Sequence, residues 1–231
     1  SLLGGRPIPG DVKYKDISGP DGVPDGVIDD YDKTNIGSPM PKFTFGWTNT
    51  FRYKNFDLSV FINGSYGNKV YNYLSMKLTH MNSPWTNQLN AVNGRAQLVP
   101  INPNKVYEDG TMWYNDVSNV MVANPGASIP RATINDPNDN DRISDRYIED
   151  GSYIRLKNIS LGYTFPKKTI DKLGLSNLRI YANIQNLLTI TGYDGYDPEI
   201  GASTSSVNVY GLDNGRYPSP TVYSFGLNVS F

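Results

Sequence analysis

Two runs of alternating apolar and polar residues lie between residues 41 and 66. In the first run the odd positions are apolar: Phe43, Phe45, Trp47, Phe51 and Tyr53. After Lys54-Asn55 the phase reverses, and the even positions are apolar: Phe56, Leu58, Val60, Ile62 and Tyr66. A period of two places successive side chains on opposite faces of a β-strand. Two turn-forming residues between two such runs therefore predict a β-hairpin.

Three more alternating runs follow in the second half of the chain. Together with the hairpin, the sequence predicts five strands, at residues 42–53, 56–66, 151–165, 177–190 and 220–231. Strands of soluble proteins usually have about 5–6 residues, whereas a tilted membrane-spanning strand needs roughly 9–11. The predicted lengths therefore favour strands that cross a membrane.

The connections between the predicted strands alternate between short and long. Lys54-Asn55 and residues 166–176 are short, whereas residues 67–150 and 191–219 are long and polar, as is the run-in 1–40. All long connections then fall at one end of the sheet, which is typical of transmembrane β-barrels with short periplasmic turns and long extracellular loops.

We therefore expect an all-β fold, an antiparallel transmembrane β-barrel sheet with long extracellular loops. The expected organisation is an extracellular loop at 1–40, a hairpin at 41–66, a long extracellular loop at 67–150, two strands with a periplasmic turn at 151–190, an extracellular loop at 191–219 and a terminal strand at 220–231. The alternative is a soluble β-rich carbohydrate-binding or adhesion module, whose strands also alternate.

Composition removes several classes of function. The net charge is −1 and no basic run is present, so nucleic acid is not an expected partner. The chain has no Cys and one His, which excludes disulfides, zinc-thiolate sites and a His pair for a metal. His80 is interpreted as an ordinary loop residue. No two carboxylates are placed for glycoside hydrolysis, so we do not expect an enzyme.

One acidic segment has the spacing of a cation-binding loop. The residues Asp21, Asp25, Asp29 and Asp32 occupy positions 1, 5, 9 and 12 of a twelve-residue stretch with Gly at position 6. This spacing resembles an EF-hand calcium loop, although Val23 stands where an oxygen ligand is expected. The hypotheses are a structural Ca²⁺ or Mg²⁺ in loop 21–32, with no other cofactor, or a solvated acidic turn. A second Asp/Asn-rich stretch, 136–141, is predicted to be a solvated turn.

Aromatic and charged residues supply the remaining candidates. Trp85, Trp113 and Tyr114 lie in the long segment 67–150, where aromatic faces can contact a sugar ring or a peptide, or can pack the loop. Arg155 and Lys157 interrupt the apolar phase of their strand. They are predicted to lie in water above the membrane.

Several sequence stretches resemble one protein family. Residues 144–163, SDRYIEDGSYIRLKNISLGY, resemble a signature of the SusC/RagA family of TonB-dependent outer-membrane transporters. Shorter stretches agree with it, at residues 10–16 (GDVKYKD), 36–43, 178–187, 195–199 (GYDPE) and 217–231. The resemblance runs in order from residue 10 to residue 231, so it covers nearly the whole chain.

This resemblance implies a fold and a function. The chain would supply the C-terminal five strands of a barrel of roughly 22 strands, without the plug domain, and Ser1 would lie in an external loop of a longer protein. The implied function is TonB-energised import of oligosaccharides or oligopeptides across the Gram-negative outer membrane. The implied partners are the rest of the transporter, TonB through the missing part, outer-membrane lipid, the cargo and a SusD-like lipoprotein lid. The terminal strand would carry an insertion signal, formed by Tyr223, Phe225, Leu227, Val229 and Phe231.

Overall fold

A computed structural model describes residues 7–199 and 210–231 of the chain. The expectations for residues 1–6 and 200–209, which belong to the predicted external segments 1–40 and 191–219, lie outside the described residues. The chain divides into two compact units. We call Gly37–Asn72 with Ile148–Phe231 the sheet unit, and Ser1–Ile36 with Tyr73–Tyr147 the loop unit.

Strands dominate the regular structure. In chain order they are β1 (Phe43–Tyr53), β2 (Phe56–Tyr66), β3 (Lys69–Asn72), β4 (Leu98–Pro100), β5 (Val120–Val122), β6 (Ile148–Asp150), β7 (Tyr153–Thr164), β8 (Asn177–Thr191), β9 (Leu212–Asp213) and β10 (Val222–Ser230). The α-helices found in the described residues are short: α1 (Tyr73–Thr79) and α2 (Lys167–Ile170). Short 3₁₀ turns occupy Asp30–Asp32, Asn90–Gly94, Trp113–Asn115, Val117–Asn119, Asp145–Tyr147 and Asp171–Leu173. None of the helices in the described ranges is long and apolar enough to span a membrane.

The five long strands form one antiparallel sheet in the order β1-β2-β7-β8-β10. These strands lie where the alternation predicts them, to within about two residues at each end. The prediction of a β-rich, antiparallel fold is therefore confirmed. Within the described residues the sheet does not close into a barrel, because β1 and β10 each pair on one side only. Both edges present backbone groups that another strand could pair with.

The sheet has an apolar face and a polar face, because the register aligns like with like across the strands. One apolar row crosses all five strands through Phe51, Leu58, Leu161, Ala182 and Phe225. The neighbouring polar row runs through Thr50, Ser59, Ser160, Asn183 and Ser224. The apolar row is not covered by other parts of the chain, since Phe51 is 55% exposed and Phe225 is 84% exposed.

A β-bulge at Lys157 changes which residues of β7 face each side. Leu156 pairs with Ile62 and Asn158 pairs with Phe61, so Lys157 has no partner in the register. An extra residue of this kind reverses the alternation of the strand. Arg155 therefore lies on the polar face and is 2% exposed. The expectation that Arg155 simply meets water above the membrane is wrong.

The predicted long loop 67–150 contains several ordered elements. It includes β3 and β6, which pair with each other in the sheet unit, where β3 also pairs with β9 in parallel. In the loop unit it includes α1 and the β4–β5 pair. The buried apolar side chains of this unit are few, namely Met76, Ala96, Val120, Ile129 and Tyr147.

Buried amides and carboxylates hold part of the loop unit together. Asn138 and Asn140 are each 1% exposed, so the prediction of a solvated turn at 136–141 is wrong. Asn140 Oδ1 accepts a hydrogen bond from the Val12 amide at 2.8 Å, and Asn138 Nδ2 donates to the Val12 carbonyl at 3.0 Å. The side chains of this stretch are buried because they pair with the backbone of the distant segment around Val12.

Candidate functional site

The polar face of the five-stranded sheet is the first candidate surface. Its side chains are hydroxyls, amides and a few charges, as the alternation predicts, and the register places them on one face: Thr44, Thr48, Thr50, Arg52, Asp57, Ser59, Asn63, Arg179, Tyr181, Asn183 and Gln185. Such a surface can line a water-filled passage and can hydrogen-bond to a polar solute.

An ion pair crosses three strands of this face. Arg179 on β8 contacts Asp57 on β2 with an Nη2–Oδ2 distance of 2.6 Å. The intervening residue on β7 is Gly162, and a Cβ atom there would lie 2.2 Å from Arg179 Nη2. Gly162 therefore leaves the space through which the guanidinium passes over β7. The pair ties together strands that are not hydrogen-bonded neighbours.

A buried charge cluster lies near the start of β7. Arg155 donates to Asp197, to Glu199 Oε2 at 2.7 Å and to Thr189 Oγ1 at 2.9 Å. Lys157 Nζ also contacts Glu199 Oε2, at 2.8 Å, because the bulge brings it to the side of Arg155. The cluster fastens the segment after β8 to the polar face of β7.

Asp197 receives most of the hydrogen bonds in this cluster. Burial works to raise its pKa, but hydrogen bonds from Arg155 and from the amides of Ser219 and Glu199 outweigh it, so the pKa is lowered. A carboxyl group with a lowered pKa contributes stability above its ordinary pKa of about 3.9, and that contribution disappears as the pH falls through the lower folded-state value. Asp197 therefore contributes its stability at neutral and mildly acidic pH.

A cavity of about 540 Å³ opens beside this cluster in the sheet unit. Its lining combines hydroxyls, aromatic rings and charges, including Thr44, Ser65, Tyr153, Lys157, Glu199 and Arg216. This mixture suits binding of a polar solute, since rings offer flat contact and charged groups offer directed hydrogen bonds. The predicted ligand-binding aromatics Trp85, Trp113 and Tyr114 do not line this cavity. The sequence contains one hint of the cavity. Arg155 interrupts the apolar phase of its strand, and the stretch 195–199 offers two carboxylates with which it could pair.

Comparison with known proteins identifies relatives along the whole chain. No protein-family model matches it. The chain is 35% identical over 236 residues to TonB-dependent receptor P3 of Formosa agariphila, an alignment that covers 100% of this chain and 20% of that protein. It is 29% identical over 209 residues to TonB-dependent receptor SusC of Bacteroides thetaiotaomicron, covering 89% of this chain and 17% of SusC. The chain belongs to the SusC/RagA family of TonB-dependent receptors.

The fold agrees with solved structures of this family. The RagAB peptide transporter matches with a TM-score of 0.60 and 21% identity, over 84% of this chain and 18% of that one. The same importer in an open-open state matches over 93% of this chain, also with a TM-score of 0.60. The chain spans about a fifth of the length of its SusC/RagA relatives.

The three aromatic candidates of this SusC/RagA segment lie in different settings. Trp113 and Tyr114 share a 3₁₀ turn, with ring centroids 5.7 Å apart and a nearly perpendicular arrangement. Trp85 follows α1 in the sequence and is 94% exposed. The described part of the chain shows no ring contact between Trp85 and the other two. A role in cargo contact stays a prediction for all three.

Backbone amides within and just before the acidic loop 21–32 donate to its carboxylates. Asp32 accepts hydrogen bonds from Ile17 and Ser18, and it forms a reciprocal cap with Asp29. The hydrogen bond from the Ile17 amide, followed by that from Asp29, lowers the pKa of Asp32. Asp25 accepts from the Val27 amide at 2.9 Å.

The four carboxylates of this loop are not gathered around one point. In residues 7–199 and 210–231, the side chains close enough to hold a metal together are His80, Asp136 and Asp141, and Asp21, Asp25, Asp29 and Asp32 do not form such a group. Cation binding at 21–32 stays a prediction.

The terminal strand β10 carries its predicted apolar set on one exposed face. Tyr223, Leu227 and Phe231 are 62%, 60% and 93% exposed. Their row continues the apolar set of β8, with Tyr223 opposite Ile184 and Leu227 opposite Ile180. Strand and face are therefore as predicted, and a role as insertion signal stays a prediction.

Proposed function

We propose that this chain forms the C-terminal strands of the transmembrane barrel of an outer-membrane transporter. The observation that carries this proposal is the exposed apolar face of the five-stranded sheet, opposite a polar face of the same strands. In water, a continuous apolar surface of this size would be covered by another layer of the protein. In a bilayer it faces hydrocarbon, and the backbone groups at the two sheet edges pair with further strands.

The same observation disfavours the soluble carbohydrate-binding or adhesion module. Such a module would pack the apolar faces of two sheets against each other, yet Trp47 is 57% exposed and Phe225 is 84% exposed. In the barrel these side chains face lipid and the aromatic residues near the strand ends lie at the membrane interface. The remaining strands of a roughly 22-stranded barrel and the plug would come from the rest of the protein.

The proposed activity is TonB-energised import of oligosaccharides or oligopeptides, with a SusD-like surface lipoprotein as lid. Homology to SusC and similarity to the RagAB peptide transporter support import. The hydroxyl, amide and aromatic groups of the polar face and of the adjoining cavity support a polar, uncharged or weakly charged cargo backbone. Both cargo classes present such groups, so uptake of labelled glycans and labelled peptides by cells with and without the intact transporter separates them.

A spin-label experiment tests the membrane arrangement. Labels at Phe45 and Leu58 of the full-length transporter in bilayers should be relaxed by lipid-soluble oxygen. Labels at Thr48 and Ser59, the matched controls on the opposite face of the same strands, should be relaxed by a water-soluble nickel complex. The reverse pattern, or equal access of the nickel complex to all four sites, would contradict the barrel.

A further inference from the structure

His80 is buried between two carboxylates in the loop unit. Its side chain is 6% exposed and follows directly after α1. Nε2 lies 2.8 Å from Asp136 Oδ2, and Nδ1 lies 3.2 Å from Asp141 Oδ2. The interpretation of His80 as an ordinary loop residue is therefore wrong, because its ring is enclosed and both nitrogens face acids.

The two contacts of His80 differ in kind. The Nε2 contact is a hydrogen bond, in which the ring donates to the Asp136 carboxylate. Nδ1 is buried and has no hydrogen-bond partner, although the Asp141 oxygen is near. With the proton on Nε2, the Nδ1 lone pair lies 3.2 Å from a negatively charged oxygen. That arrangement is repulsive unless a cation lies between the two atoms.

We propose that a divalent metal ion of the zinc type binds between His80 Nδ1 and Asp141 Oδ2. Zinc binds imidazole nitrogen and carboxylate oxygen at about 2.0–2.2 Å. Two ligands of a tetrahedral ion at such distances are about 3.3–3.6 Å apart, slightly more than the 3.2 Å observed. One ligand atom from each of His80, Asp136 and Asp141 lies within 4.8 Å of the others.

Asp136 has the position of the residue that orients a metal-binding histidine. Metal-bound histidines usually donate their second ring N–H to a carboxylate, which fixes the tautomer and makes the ring a better ligand. Asp136 is itself held by the amide and the side chain of Asn140, at 2.6 and 2.7 Å. The Asp141 side chain is 31% exposed, so the ion can be reached from solvent and can complete its coordination with water.

The ion would connect two segments that are distant in the sequence. Asp136 and Asn140 belong to the stretch that pairs with the backbone of Val12, while His80 belongs to the end of α1. A metal bound by His80 and Asp141 would clamp these parts of the loop unit together.

Zinc binding to the full-length transporter in detergent tests this proposal. After chelator treatment, the protein is titrated with Zn²⁺ by calorimetry in 1 mM Ca²⁺, which saturates sites made only of oxygen ligands. We expect His80→Gln to lose one equivalent of zinc and Asp141→Asn to weaken that site at least about tenfold. Asp136→Asn should weaken it by about 10–100-fold. Asp139→Asn, a neighbouring acid that is 63% exposed and pairs with Arg142, is the matched control and should bind as the unmodified protein does.

Hydrogen exchange separates metal binding from misfolding. Zinc should slow amide exchange in peptides covering residues 8–14 and 136–142 of the unmodified protein and of Asp139→Asn. Without zinc, the same peptides of Asp141→Asn should exchange as slowly as those of the unmodified protein. At a zinc concentration that just saturates the unmodified protein, they should be protected less.

Three outcomes would overturn the proposal. The first is that zinc binds to His80→Gln with the same stoichiometry and affinity as to the unmodified protein. The second is that the Asp139→Asn control loses as much zinc binding as His80→Gln. The third is that zinc does not slow amide exchange at pH 7.5. The last result would assign the position between the two atoms to a proton.

Discussion

The sheet unit and the loop unit are ordered by different interactions. The five long strands are joined by backbone ladders that run along almost their whole length. The loop unit has short elements, and its buried polar side chains include Thr79, His80, Asn119, Asp136, Asn138 and Asn140. Backbone pairing tolerates the loss of a single side chain, whereas a buried amide that bonds several distant groups does not. Substitutions of similar chemistry should therefore have unequal effects in the two units.

The largest effect is expected where the sheet unit also relies on buried polar contacts. Arg155→Met leaves Asp197, which is 7% exposed, without its cation. Removing one partner of a buried ion pair typically costs about 3–5 kcal/mol. We expect the local stability of the segment 193–199 to fall by this amount. Hydrogen exchange of the full-length protein measures it. Arg216→Met, at an exposed arginine, is the control. Unchanged exchange in Arg155→Met would show that the cluster does not hold this segment.

A smaller but clear effect is expected for Asn140→Ala in the loop unit. The Asn140 side chain pairs with Val12, Asp11, Asp136 and Asn138, so its loss leaves several buried groups unpaired. Each unpaired group costs about 1–3 kcal/mol, and we expect a total near the upper end of that range because water can enter. Exchange at residues 8–14 should rise while the sheet remains protected.

The matched substitution in the sheet is Asn183→Ala on the polar face of β8. Its backbone is paired on both sides, with Ser160 and Ser224. We expect a change within about 0.5 kcal/mol, as for most substitutions away from buried networks. Equal effects of Asn140→Ala and Asn183→Ala would remove the contrast between the two units.

A steric change should disturb the sheet more than the loss of a polar group does. A Cβ atom at Gly64 would lie 2.6 Å from the Tyr153 carbonyl oxygen and 2.5 Å from the Phe45 ring. Because one of these atoms belongs to the backbone, β2 and β7 would have to separate locally. Gly64→Ala should cost about 1–3 kcal/mol, measured as a lower midpoint of heat-induced loss of the folded barrel band in gels. Gly94→Ala, with open space around the glycine, is the control.

The smallest effect on the folded protein is expected at the last residue. Phe231 is 93% exposed and contributes little to packing within the chain. Phe231→Asp should leave the melting of assembled transporter nearly unchanged, but should lower the amount that reaches the outer membrane if the terminal strand is read during insertion. Surface labelling against total protein measures this. Normal surface levels with reduced uptake would instead place Phe231 in the path of the cargo.

The sheet could be predicted from the sequence because apolar and polar residues alternate within each strand. Residues 43–66 show the pattern in two runs on either side of the turn Lys54-Asn55, and β1 and β2 have the predicted ends to within one residue. The bulge at Lys157 was not predicted, since one additional residue looks like a break in the pattern. The pattern in fact continues with Ile154 and Leu156 in the opposite phase.

The buried networks could not be predicted from the sequence for a different reason. Asn138 and Asn140 have the composition of a surface turn, and their partner Val12 lies 128 residues from Asn140. His80 and Asp136 are 56 residues apart. No local pattern connects such positions, so their pairing becomes visible only in three dimensions.

The bulge at Lys157 has a consequence for how such strands can change during evolution. In a strand with lipid on one side and water on the other, deleting one residue exchanges the two faces for everything beyond the deletion. Lys157 is different, because Leu156 and Asn158 pair with the adjacent residues Ile62 and Phe61. Loss of Lys157 would remove the bulge and leave Arg155 on the polar side and Ile154 on the apolar side. An inserted residue that forms a bulge keeps both halves of the strand in phase with β2 and β8. On β8, Asn186 and Leu187 lie opposite the bulge and also have no partners in the register. A one-residue change of length in this part of the sheet therefore keeps the two faces only where a bulge forms or is lost.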